Sequence, residues 1–513
     1  MGINKKIQNP FQFPFFAALV FFKCVFVILY PYPLEDIWHQ KTLAINFANG
    51  YGVSYINASV SDLSLWSTEM FFRWPPLTAI LTGLLTGIVQ NIEWVVSILD
   101  CFAILILFSA VRAIVFLLQL SVKQQWFVWL LFLFNPLLTD LFSTSDLLSL
   151  AFWMWSFYLA YHLVLNNTKT KSSLLVLILI GFLPAAFRYQ YYPLIFIMPV
   201  CLLLLGIRTK EKKLLYRSAL WAAGLFVLLF AQIIYLNSLS AAGIPVTDVK
   251  EFSPDNLSRM TPFFLYSFFP AYLFINNAAQ IFSYNIVYLY QIVGMVSLVA
   301  FCMYLITIKK AATTDWKDYL FKTLTLVSVF SVVMMLCSLS IYYRQQVNGG
   351  TTFTYVQEPR YWGIVFVLIP LLFVADYSFV TKKVLPLLLI ICIVLNVTVS
   401  IYRLLKTNSG TDSVKTKMKQ EIASSIKTAV TEKYRPVVIT CKDKDFTMYN
   451  FNKPYATAPY DSLMQLTKIS TSKPIWFFLI TDLKPNIAET IFINNNQLIL
   501  VNRINNQYLL YRN

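Results

Sequence analysis

Charged residues are scarce in this chain. Asp, Glu, Lys and Arg make up 13% of its 513 residues, about half of the roughly 25% usual in soluble domains. With 58% hydrophobic residues beside it, that deficit excludes a soluble globular protein. A disulfide framework is missing too. Six of the seven cysteines (Cys24, Cys101, Cys201, Cys302, Cys337 and Cys392) fall inside apolar segments, Cys441 stands alone in a polar tail, and none has metal-ligand spacing. No small-residue cleavage site ends the first apolar run, so the basic start Met-Gly-Ile-Asn-Lys-Lys leads into an uncleaved helix rather than a signal peptide. Lys6 breaks the myristoylation pattern, which needs Ser or Thr there. Neither an internal repeat nor a low-complexity tract is apparent, which weakens an inverted-repeat transporter reading.

What the chain has in abundance is apolar sequence. Runs long enough to span a bilayer, roughly 17–25 residues each, recur until about residue 403. The expected class is an α-helical polytopic membrane protein. Short basic clusters separate the runs: Lys5/Lys6, Lys123, Lys169/Lys171, Arg208 to Arg217, Lys309/Lys310/Lys317 and Lys382/Lys383. Placing them all in the cytoplasm by the positive-inside rule gives eleven spans, at 13–31, 94–118, 124–139, 146–165, 173–187, 190–207, 218–236, 284–307, 320–342, 361–379 and 384–403. The N-terminus then lies inside and the polar tail outside. The apolar piece at 75–90 must not cross: about 16 residues make about 24 Å of helix, short of the roughly 30 Å core. It opens on Pro75-Pro76 and is expected to be a juxtamembrane helix at the outer surface, with a short true span as the alternative.

The net charge of +17 invites a nucleic-acid reading, but the positive-inside pattern accounts for much of it, and no nucleic-acid partner is expected. The tail from Arg403 to Asn513 holds sixteen basic and eight acidic residues, a net +8, which suits anionic lipid or a phosphorylated substrate. Within it, 412–430 is helix-like, while Val437–Cys441, Ile475–Ile480, Leu498–Val501 and Tyr508–Tyr511 are strand-like. The expected organisation is a transmembrane domain over 1–403, with an outer loop at 32–93, and a small extracytoplasmic α/β domain over 404–513.

In so apolar a chain, ionisable groups at the membrane edge are costly, so a chemical role is weighed first. Under the charge topology they collect outside. Glu35, Asp36, His39 and Glu69 lie in the first loop, Asp140 and Asp146 flank the next outer turn, and Arg188 follows in Phe-Arg-Tyr-Gln-Tyr-Tyr (187–192). Arg344 and Arg360 flank the last outer loop, the latter within Gln-Glu-Pro-Arg-Tyr-Trp (357–362). Acids from early loops and arginines from later ones are the two halves of a glycosyl transfer. A carboxylate takes the proton of the attacking hydroxyl, and arginines hold a departing phosphate. Each residue also has a plainer role. Glu35 and Asp36 end a helix in water, and Asp146 caps a helix starting at Leu147, with Ser143 and Ser145 as neighbouring candidates. Arg188 and Arg360 anchor at the interface, and His39 is a polar loop residue. Lys23 and Asp100, inside expected spans, snorkel or pair with neighbours. The aromatic run Phe263–Phe269 forms an interfacial belt or lines a path for an isoprenoid chain.

The order of these motifs resembles the GT-C glycosyltransferases, among them bacterial enzymes similar to the lipid A aminoarabinose transferase and the protein O-mannosyltransferases. The resemblance rests on Glu35-Asp36 after the first span, Gly50 further on, Trp74-Pro75-Pro76, Asp146, Arg188 and Arg360-Tyr361. It covers about residues 10–400. It implies a multi-pass enzyme that moves a sugar from a polyprenyl-phosphate carrier to a glycan, lipid or protein acceptor on the extracytoplasmic face. Glu35 or Asp36 would be the base, Asp146 would orient the acceptor or the pair, and Arg188, Arg344, Arg360 and Tyr361 would hold the donor phosphate. Two departures stand out. The acidic pair reads Glu-Asp rather than Asp-Glu, and Arg73 stands where some relatives carry an acid, with Glu69 one turn earlier as a substitute. Some relatives use a divalent metal and others do not, so the resemblance leaves the metal open. Readings from other classes are a polysaccharide or lipid transporter (a flippase) and a membrane glycan polymerase.

Overall fold

The structure, a computed structural model, describes residues 12–29, 35–70, 75–135, 143–166, 172–239, 249–250, 254–310, 316–347, 351–353, 355–375, 384–406, 411–430, 436–442, 454–466, 468–504 and 507–513. Its helices are, in order, α1 (Gln12–Leu29), α2 (Glu35–Ala48), α3 (Leu77–Val89), α4 (Ile92–Leu117), α5 (Val122–Phe134), α6 (Thr144–Asn166), α7 (Ser172–Phe187) and α8 (Ile197–Thr209). There follow α9 (Lys212–Leu239), α10 (Ala271–Phe282), α11 (Ile286–Lys310), α12 (Trp316–Tyr342), α13 (Gly363–Ala375), α14 (Val384–Lys406), α15 (Thr411–Ala429) and α16 (Ile487–Asn495). The chain divides into two compact units, Met1–Tyr32 with Asp100–Leu405 and Pro33–Leu99 with Lys406–Asn513.

The first unit is helical. Six helical runs are long and apolar enough to cross a membrane among the described residues: Ile92–Leu117, Thr144–Val164, Tyr191–Thr209, Lys212–Ser238, Ile286–Ile306 and Asp318–Ile341. A helix forms at each of the eleven expected spans, but five fall short of that standard. Large apolar side chains such as Phe226, Phe230, Ile292 and Met295 stand exposed on these helices, as a bilayer solvent permits. α13 is the opposite case. Every residue from Gly363 to Leu372 is buried, as expected of a helix that is apolar all round.

The expected outer loop at 237–283 carries structure of its own, and its aromatic run has neither of its expected roles. Phe263 lies flat on Trp362, with ring centroids 4.8 Å apart and planes 2° apart. Tyr266 is fully buried and meets Phe366 edge-on. Phe268 packs on Phe373 at 5.2 Å. The run is core of the first unit, not a belt and not a lipid path, because edge-to-face and stacked rings satisfy one another away from solvent.

The second unit is built on one seven-stranded sheet of order β2-β1-β7-β6-β8-β10-β9. Two of its strands come from the first loop: β1 (Ser54–Ala58) and β2 (Trp66–Met70) form an antiparallel hairpin. A three-stranded sheet of the first unit accounts for the next labels, with β3 (Val249–Lys250), β4 (Tyr343–Val347) and β5 (Thr351–Phe353). The tail supplies β6 (Val437–Cys441), β7 (Ala456–Thr457), β8 (Trp476–Asp482), β9 (Ile499–Ile504) and β10 (Tyr508–Arg512). β1 pairs in parallel with β7 through Asn57 and Thr457, so the α/β domain anticipated for the tail alone also takes in the first loop.

Central strands β6 and β8 are buried on both faces, which explains their near-continuous apolar sequence. Alternate residues separate cleanly. Ile439, Phe478 and Ile480 pack against Met418, Ile422 and Ile426, spaced by four along α15, whereas Val438, Phe477 and Leu479 pack with Ile56, Leu63 and Phe492. Asp62, in the turn of the hairpin, accepts hydrogen bonds from the backbone N–H groups of Ser64 and Ser472 and from the Ser64 hydroxyl. The Ser472 and Ser64 bonds hold its carboxyl well below the usual carboxylate range. The hairpin is thereby tied to the tail.

The stretch at 75–90 is α3, thirteen residues long and too short to span the roughly 30 Å core. It packs on α2 through small residues, Thr78, Ala79, Thr82, Gly83 and Thr86. A Cβ at Gly83 would stand 2.7 Å from the Ala44 carbonyl oxygen and 2.8 Å from a Phe47 ring carbon, while one at Gly87 would meet nothing within 4 Å. Gly83→Ala is therefore expected to push α2 and α3 apart and cost about 1–3 kcal/mol. Gly87→Ala should be neutral or stabilise by up to about 1 kcal/mol. Thermal unfolding of the two variants side by side checks this.

Candidate functional site

The first described residues of α2 are the acidic pair. Glu35 and Asp36 form its opening turn, and their side chains lie outside the described atoms. The first turn of a helix, with its unpaired N–H groups, favours a carboxylate in ionised form. Gly50 and Gly52, with φ of 85° and 73°, then turn the chain from α2 into β1, a backbone that residues with a Cβ rarely adopt. His39 is a buried helix residue, 6% exposed, rather than the loop residue expected, and its Nδ1 is hydrogen-bonded to the Tyr55 hydroxyl. Glu69 sits exposed on β2 and accepts a 3.0 Å hydrogen bond from Asn57 Nδ2. Sequence reasoning passed over Lys41. This residue is buried, makes a 2.5 Å ion pair with Glu93 and lies 5.0 Å from the Trp38 ring centroid.

In the first unit, two of the sequence candidates meet. Helix α6 begins at Thr144, three residues before the expected start. Ser143 flanks it and forms a reciprocal cap with Asp146: the Ser143 backbone N–H and hydroxyl both donate to Asp146 Oδ2, at 3.1 and 2.8 Å, while the Asp146 N–H donates to Ser143 Oγ. This is a capping box with Asp in place of Glu. The cap occupies one carboxylate oxygen. The other, Oδ1, accepts a 2.6 Å hydrogen bond from Arg188 Nε. The ion pair is deeply buried, with side-chain exposures of 4% for Arg188 and 1% for Asp146.

Local sequence explains how Arg188 reaches it. Arg188 directly follows α7, and its N–H donates to the Pro184 carbonyl at 3.0 Å. The same carbonyl accepts the Ser149 hydroxyl at 3.1 Å. Ser149 lies three residues after Asp146, on one helical face. Further along α6, Phe152 stacks on Phe187 at 5.9 Å, and Trp153 Nε1 donates to the Leu194 carbonyl. One face of α6 thus grips the end of α7 and the turn after it. In that turn the Tyr189 and Tyr192 rings meet edge-on at 5.3 Å. The Tyr189 and Tyr192 hydroxyls and Gln190 Oε1 are buried atoms with no hydrogen-bond partner among the described residues. Such atoms are costly unless something satisfies them. The turn pairs a guanidinium with hydroxyls and an amide, a donor set suited to phosphate or sugar oxygens.

Arg360 lies in the short 3₁₀ turn Pro359–Trp362 before α13, ion-paired with Glu358, its guanidinium carbon 5.3 Å from the Tyr361 ring centroid. Arg344 is placed by its backbone on β4, opposite Val249. Arg73 and Asp140 lie outside the described residues. Lys23 pairs rather than snorkels: it is buried and donates to the Asn135 carbonyl at 3.3 Å. Among the described residues no three His, Cys, Asp or Glu side chains gather as a metal-binding group.

The chain resembles solved structures along its whole length. The crystal structure of ArnT from Cupriavidus metallidurans bound to undecaprenyl phosphate matches at a TM-score of 0.50, with 12% sequence identity, over 98% of this chain and 98% of that one. The apo structure of the same protein matches at a TM-score of 0.42 and 10% identity, over 98% and 97%. No protein-family model matches the chain, and no curated protein matches it. The fold is therefore like that of ArnT, a statement about architecture.

Proposed function

We propose that this chain is a multi-pass membrane glycosyltransferase that moves a sugar from a polyprenyl-phosphate carrier to a glycan, lipid or protein acceptor on the extracytoplasmic face. The observation that carries this reading is the buried Asp146–Arg188 pair within a fold like that of ArnT. A charged pair kept at such depth is costly and marks function by default. The ArnT structure is bound to undecaprenyl phosphate, which gives the chemistry to try first.

In this reaction the acceptor hydroxyl attacks the anomeric carbon and its proton passes to Glu35 or Asp36. The bond from that carbon to the phosphate oxygen breaks, and its electron pair leaves on the lipid phosphate. A single displacement inverts the anomeric centre. Arg188 holds the leaving phosphate, with Arg344, Arg360 and Tyr361 as further ligands. Asp146 is a positioning residue rather than a base, because both its oxygens are already engaged, one by the Ser143 cap and one by Arg188.

The test is reconstitution of the full chain in vesicles with polyprenyl-phosphate sugars labelled in the sugar. Protein-dependent passage of label to a membrane, glycan or protein acceptor is expected. Movement of intact donor across the vesicle with no transfer product would instead identify a transporter and sink the reading.

A further inference from the structure

A groove of about 460 Å³ opens between α8 and α12, lined from Pro193, five residues after Arg188, to Thr209. Its walls are two regular rows. α12 presents Tyr319, Thr323, Val327 and Ser331, each four residues from the next, and α8 with its preceding turn presents a row from Pro193 to Arg208. Both helices belong to runs apolar and long enough to cross a membrane. Pro193 and Arg208 are fifteen residues apart along the run Tyr191–Thr209, about 22 Å of helix, more than the depth of one leaflet, which is half of a roughly 30 Å core. Val200 and Leu204 stand 44% and 61% exposed, so the groove is open to the surroundings of these helices.

One end of this groove is strongly basic. Arg208 Nη1 donates to the Tyr319 hydroxyl at 3.1 Å. A guanidinium has five N–H donors, so this bond orients the group without exhausting it. Exposed Lys210, Lys212 and Lys213 follow at once, with Glu211 as the one acid among them. An apolar groove of at least leaflet length, ending in an oriented arginine amid lysines, is complementary to a lipid with a negatively charged head.

We infer that the α8–α12 groove binds an anionic glycerophospholipid, with its phosphate at Arg208 and one acyl chain along the row. Such a phosphate lies at the interface where α8 ends, and its chain needs only leaflet depth. A carrier lipid whose phosphate sits at Arg188 would enter from the opposite end. Basic groups near a membrane surface each contribute about 1 kcal/mol toward anionic lipid.

The probe is phosphatidylglycerol, offered to the full-length protein together with an equal amount of phosphatidylcholine and read by native mass spectrometry. Wild type should retain phosphatidylglycerol preferentially, and Arg208→Gln should retain about fivefold less, the factor matching about 1 kcal/mol. Leu204→Trp fills the groove without changing charge and should reduce retention as well, whereas Lys123→Gln, elsewhere on the surface, should not. Arg208 and Leu204 are exposed, so these variants keep the fold. Three results overturn the inference: equal retention of both lipids by wild type, unchanged retention in Arg208→Gln or Leu204→Trp, or displacement of phosphatidylglycerol by added polyprenyl phosphate. None of these readouts requires sugar transfer.

Discussion

Asp146→Ala should lower the stability of this protein by about 3–5 kcal/mol and remove sugar transfer, because it breaks a buried ion pair by removing one partner. Loss of the Ser143–Asp146 cap adds about 0.5–2 kcal/mol. Arg188→Met should be milder on folding, since Asp146 keeps two bonds from Ser143. The double variant Asp146→Ala with Arg188→Met separates structure from chemistry. Replacing both members of a buried pair by apolar groups is often neutral for stability, so the thermal midpoint should recover much of the way. Transfer should not recover, because the phosphate has lost its arginine, an effect of about 10²–10³ for a donor that stabilises developing charge. Thermal unfolding in detergent and the labelled-sugar assay, run on the same three preparations, read the two effects. Transfer that returns with stability would reduce the pair to scaffolding and remove Arg188 from the mechanism.

The second large effect is at the opening turn of α2. Glu35→Gln and Asp36→Asn keep shape and polarity but remove one base each. One of them is expected to cut transfer by about 10²–10⁴, the usual contribution of a positioned base, and the other to leave most of it. A carboxylate base works only when ionised, so the rate should fall on the acid side. Stability should hardly move, since a charge in the first turn of a helix contributes only about 0.3–1 kcal/mol. The swapped variant with Asp at 35 and Glu at 36 tests whether order matters. Full transfer by both single variants and by the double variant would leave the mechanism without its base.

These two sites were legible in the sequence to different depths. Asp146 and Arg188 were each visible as costly charges at the ends of apolar runs, with Asp146 read as a helix cap or as a group orienting the acceptor or the acidic pair, but their pairing with each other was not visible. In the structure one carboxylate oxygen of Asp146 serves the cap and the other takes Arg188. Sequence spacing cannot express that, because Ser143 is three residues away and Arg188 forty-two. The aromatic run at 263–269 was misread for a related reason. Composition marks rings that suit an interface, yet Trp362 and Phe366, about a hundred residues on, take them into the core. Lys41 escaped notice because its partner Glu93 is fifty-two residues distant.

By itself the sequence determined the solvent and the elements. Scarce charge and recurring apolar runs demand a bilayer, since only helices satisfy their own backbone there. The period of four in α15 and of two in β6 and β8 followed from local geometry, and the helix and four strands expected of the tail form close to their expected positions. Only the tertiary structure decided which elements meet. It set β1 beside β7 across four hundred residues, joined the first loop to the tail in one sheet, and closed Arg188 onto Asp146. Local preferences depend on neighbours a few residues away, whereas those meetings depend on burying apolar faces and pairing polar atoms between distant segments. That energy exists only once the chain has folded.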